Sequence, residues 1–126
     1  MDNQTIITAA KLLLESPITK TVTILAGEND STILDKSRYK NIAIFLPDNW
    51  VTSAITLKGC DTVDGTFNPI VFSDVSAVTI ASVAKNKVVV LSDLNRDAIA
   101  SVPFIQLVST EAQITDDKII TIVMTR

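Results

Sequence analysis

Asp61 and Asp64, with Asn68 and Asp74 close behind, gather oxygen donors in one short stretch of the chain. Clustered carboxylates can hold calcium, or can divide into the acid and base of a glycosidase. The spacing lacks the alternating acids and the distal bidentate Glu of an EF-hand. A glycosidase pair would face across a cleft lined with sugar-stacking rings, and the only Trp and Tyr, Trp50 and Tyr39, lie outside this turn. Asp-Gly turn chemistry accounts for the cluster better. The lone Cys60 has no histidine to activate it, because the chain contains none, and its expected role is that of a packed small hydrophobe. Absence of His also removes the commonest general base, the commonest zinc ligand and the Ser-His-Asp triad. Trp50, after Pro47-Asp48-Asn49, has two readings, a lid on one end of the core or a carbohydrate-stacking platform, and the lack of a second aromatic beside it favours the lid. Lys36, Arg38 and Lys40 share a parity, so an extended lead-in there would carry a basic row. That row is either a solvated edge that discourages aggregation or a docking row for an acidic partner. The expectation is a protein that is not an enzyme, with no catalytic residue, no metal and no cofactor.

The elements that would position these residues are strands. Ile, Val and Thr make up 44 of 126 residues against three Gly and four Pro, and β-branched side chains favour a pleated surface. A chain this long is one domain by size and buries enough surface to fold without cross-links. The acidic start Met1-Asp2 and the lack of a long apolar run predict a soluble protein without a secretory signal or membrane span. A net charge of -3 with scattered Lys and Arg argues against nucleic acid as partner. Only 20% of residues are charged and mean hydropathy is +0.36. So lightly charged a surface is one that other protein often covers.

Asn3 to Glu15 has Ile6, Ala9, Ala10 and Leu13 at helical spacing before Pro17, which favours a short N-terminal helix over an extended arm across residues 1–18. Residues 19–126 read as a single antiparallel β-sandwich, jelly-roll-like and all-β. Strands are expected at Thr19 to Leu25, Ser31 to Asp35, Asn41 to Leu46, Ala54 to Cys60, around Val78 and Ile80, Lys87 to Leu91, Phe104 to Ser109 and Lys118 to Thr125. The polar loop from Gly27 to Ser31 closes the first strand, Asp61 to Gly65 forms a hairpin turn, Asn68-Pro69 interrupts pairing, and Asp93 to Ala100 reads as one helical turn or a compact loop with Asp93 as its cap. KVVVLS, FIQLVS and KIITIVMT are apolar on both parities, so each should be central or pair with another chain.

Leu34-Asp35-Lys36-Ser37-Arg38-Tyr39 leading into Asn41-Ile42-Ala43-Ile44-Phe45-Leu46-Pro47, then Trp50, then Ala54-Ile55-Thr56-Leu57 and the Asp64-Gly65-Thr66-Phe67 turn, resembles a pattern of small virion proteins of tailed bacteriophages. In them a "D-L-S-x-Y" lead-in enters an apolar strand ending in Pro, and a Trp and a "D-G-x-T-F" turn follow. Pro103-Phe104-Ile105-Gln106-Leu107, Gln113 and Lys118 to Thr125 extend the likeness to the C-terminal strands. The lead-in, which reads Leu-Asp-Lys-Ser-Arg-Tyr, the turn shortened by one residue and Cys60 in place of a small polar residue depart from it. The resemblance implies a non-enzymatic virion subunit, a capsid cement or decoration protein assembled in the host cytoplasm. Its partners would be the major capsid protein or another virion protein and further copies of itself. A tail or baseplate component is the nearest alternative; a carbohydrate-binding module is the alternative from another class. Ile6, Ile7, Leu12 and Leu13, with Lys36, Arg38 and Lys40, are the candidate partner contacts.

Overall fold

Alternation of apolar and polar residues sorts the chain into strands that each bury one row, and the computed structural model describes this for residues 17–126 apart from Arg38. Among them ten strands and one helix occur: β1 (Ile18–Ile24), β2 (Glu28–Asp30), β3 (Leu34–Asp35), β4 (Asn41–Phe45), β5 (Ser53–Cys60), β6 (Asn68–Pro69), β7 (Thr79–Val83), β8 (Val88–Val90), α1 (Asp93–Ile99), β9 (Phe104–Gln113) and β10 (Lys118–Thr125). One sheet has the order β1-β10-β4-β8. In the other, β2 and β3 flank one side of β9, β5 flanks its other side, and β6 and β7 both pair with the far side of β5. Every pairing is antiparallel. If β2 with β3 and β6 with β7 are each taken as one broken strand, the order is 1-8-3-6 over 2-7-4-5, the jelly-roll arrangement.

Val22, Ile24, Ile42, Ile44, Ile120, Ile122 and Met124 of the first sheet face Ile55, Leu57, Ile80, Ile105 and Leu107 of the second, each at most 8% exposed. Ile99 of α1 and Trp50 close the core at its ends.

The sequence reading differs from the structure at several places, three of them in individual elements. Glu28–Asp30, expected as loop, is a strand, because Gly27 at φ +82 turns the backbone back onto β9, where its N–H donates to Gln113 O. Asn68–Pro69, expected to interrupt pairing, is itself an edge strand opposite Lys58 and Gly59, a position where proline's missing N–H costs nothing. The cap of α1 is Ser92 rather than Asp93: its Oγ accepts from Asn95 N–H at 3.2 Å, and Asp93 falls in the first turn.

Candidate interaction surfaces

Lys36 is not on an exposed basic row. Lys36 N–H and Ser37 N–H both donate to Pro103 O, and Ser37 turns at φ +46, so the lead-in bends instead of extending. Parity arguments fail across such a bend. The Lys36 side chain runs inward, fully buried, and its ammonium donates to Tyr39 O at 3.2 Å, Ala100 O at 3.3 Å and Ser37 O at 3.4 Å. The cation sits against the C-terminal end of α1, where the helix dipole favours it, while burial holds its pKa below the usual 10.5. Lys40 is exposed; Arg38, Ile6, Ile7, Leu12 and Leu13 lie outside the described residues, as does the proposed helix or arm. A second buried lysine, Lys118, occupies the opposite end of the sandwich and donates to Ile114 O at 3.0 Å.

Asp61 and Asp64 sit exposed in the connection between β5 and β6. Among the described residues no group of three or more His, Cys, Asp or Glu gathers closely enough to hold a metal ion. Asp74 instead accepts from both N–H and Oγ of Ser76, which holds its carboxyl below the usual carboxylate range. Cys60, half-buried, lines an open cleft of about 260 Å³ between the end of β5, β6 and the chain before β9. Trp50 is 4% exposed and donates from Nε1 to Val83 O at 3.1 Å, so it packs as a lid and presents no free ring face.

The outer faces of the two sheets differ in charge. On the sheet built around β9 and β5, the outward rows include Asp30, Lys58 and Asp35, and Lys58 Nζ meets Asp30 Oδ2 at 2.8 Å. On the four-stranded sheet the outward rows run Thr21-Thr121-Phe45-Val88 and Thr19-Val123-Ala43-Val90, with Thr23 and Ile119 beyond one and Thr125 and Asn41 beyond the other. None of these side chains is charged. Phe45 is 40%, Val88 54%, Ile119 60% and Val90 73% exposed. Because Ala43 stands between Val90 and Val123, the second row dips into a hollow of about 130 Å³ bounded also by Asn41, Ile42 and Thr125. Sequence reasoning flagged the two-sided apolar runs but not that their outward rows line up in one sheet. The signal was the pairing of β8, β4 and β10, which sequence spacing does not carry.

The fold defines this chain as a jelly-roll β-sandwich. It is similar to the crystal structure of the SPBc2 prophage-derived protein YomS, at 12% identity and a TM-score of 0.52, over 87% of this chain and 96% of that one. The Yersinia pseudotuberculosis-derived mitogen is a more distant likeness, at 15% identity and a TM-score of 0.40, over 88% of this chain and 86% of that one. No protein-family model and no curated protein matches the chain. Among the described residues no helix is long and apolar enough to cross a membrane.

Proposed function

We propose that this protein is a non-enzymatic structural subunit of a tailed-phage particle, and within that class a capsid cement or decoration protein that binds the assembled head lattice. The observation that carries the reading is the outer face of the four-stranded sheet, whose own outward strand residues carry no charge and leave Phe45, Val88, Val90 and Ile119 open, with Arg96 meeting it at Asn41. A face of Thr, Val and Ala that leaves Phe45, Val88 and Val90 side by side in the open is one that other protein often covers. The fold shared with a prophage-derived protein and the sequence resemblance to small phage virion proteins give the contact its setting. A cement protein acts by mass action: a subunit that binds only the assembled lattice stabilises it by its binding free energy, repeated over many copies. The partner would be the major capsid protein or another virion protein. The carbohydrate alternative loses its physical basis with Trp50 buried under Val83.

Purified protein mixed with separated heads and tails and then pelleted tests this. Co-sedimentation with heads supports the cement role, and binding to tails alone moves the protein to the tail or baseplate. Recovery in the supernatant with both overturns the reading.

A further inference from the structure

Phe45 and the hollow at Ala43 are a knob and a hole on one face, two residues apart along β4 and therefore about 7 Å from each other. Phe45 stands outward at 40% exposure between Thr121 and Val88. The hole is the gap left by the Ala43 methyl between Val90 and Val123. A twofold axis lying in the plane of contact, across β4 at the level of Ile44, exchanges these two positions. It sets Phe45 of each copy over Ala43 of the other. The strand rows around them oppose Thr, Val and Ile, and the one cation that reaches the rim, Arg96 on Asn41, lies beyond Ala43 on the side away from Phe45. We propose that the outer face of the four-stranded sheet is an isologous docking surface for a second copy of this chain, with Phe45 seated in the hollow between Ala43, Val90 and Val123 of its partner.

Isologous contacts need self-complementarity, each patch meeting its own image, and a knob and hole related by one step along a strand satisfy it. The other sheet offers no such pair, since its outward rows carry the Lys58–Asp30 ion pair and Asp35. Sheets packed face to face lie about 10 Å apart, which two layers of Val, Thr, Ile and Phe side chains fill. Four strands about 4.8 Å apart, of 7, 8, 5 and 3 residues, give a footprint of roughly 360 Å². A standard interface uses about 800 Å² per partner. The dimer is therefore weak, populated as concentration rises and strengthened where a lattice holds copies close together.

This inference rests on reading the protein as an assembly subunit and gives this face to the contact between copies, so that the lattice would be met by another surface; its test uses the purified protein alone, so its failure would leave the pelleting result untouched. Sedimentation equilibrium from roughly 10 µM to roughly 1 mM spans the range in which weak interfaces half-fill. Wild type should pass from monomer to dimer. Phe45→Asp and Ala43→Lys should each stay monomeric, and so should Val90→Asp, which alters the rim of the hole independently; Thr79→Lys, on the other sheet, should dimerise like wild type. An equimolar mixture of Phe45→Asp and Ala43→Lys should regain dimer, because one of its two contacts is native and the other sets Asp against Lys. A wild type that stays monomeric throughout overturns the proposal. Dimers that survive Phe45→Asp, or single variants that fail to rescue each other, overturn the knob-in-hole geometry.

Discussion

Lys36 was the residue whose sequence setting pointed most plainly to the surface, and it is fully buried. Its ammonium keeps three carbonyl partners, yet burial still favours the neutral form and lowers its pKa. The consequence for stability has a definite sign. Between the lowered folded value and the ordinary 10.5 the unfolded chain holds more proton than the folded one, so folding gains as pH rises through that window. Wild type should therefore gain stability relative to Lys36→Met as urea unfolding is repeated at increasing alkaline pH, with a constant difference below the window. Val75 gives a second prediction at this scale. A β-branched residue at φ +70 and 76% exposed has its Cβ crowded by the left-handed backbone, and little burial offsets that strain. Val75→Gly should raise the unfolding free energy by up to about 1 kcal/mol, the relief of strain being partly cancelled by the freer unfolded chain.

At the level of elements, most strands were legible because Ile, Val and Thr alternate strongly, as in Val22 and Ile24 against Thr21 and Thr23. What was not legible depends on partners remote in sequence. Glu28–Asp30 has no apolar row of its own and becomes a strand only because β9 runs beside it. Phe104–Gln113 extends well past the apolar FIQLVS stretch for a similar reason, since buried polar groups continue it. Ser109 Oγ lies 2.8 Å from Ser53 Oγ and accepts from Gln113 Nε2 at 2.9 Å. Gln113, fully buried, also accepts from Val51 N–H at 2.8 Å and donates to Val51 O at 2.9 Å, so one side chain replaces a rung of backbone ladder. Gln113→Leu would strand both Val51 groups at a cost of about 1–3 kcal/mol each. The expected result is a urea midpoint lowered by the matching amount, with an unchanged slope.

For the molecule as a whole, the difference between its two outer faces is what turns a sandwich into a building block. The apolar runs identified in the sequence divide accordingly: β9 and β10 are central strands, whereas β8 is an edge whose Val88 and Val90 lie open. Anything that binds the native state and not the unfolded chain raises the unfolding temperature as its concentration increases. The thermal midpoint of the wild type should accordingly climb as its concentration is raised, and that of Phe45→Asp should stay flat, as read by calorimetry.

The topology also bears on how the chain is made. β10 lies between β1 and β4, and β9 between β5 and the pair β2 and β3, so each sheet is split down its middle until residues 104–125 arrive. Ile18, at the start of β1, meets Met124. A nascent chain still holding that last stretch inside the ribosome would have edges without centres, and the whole domain would have to wait for it before closing in a single late step.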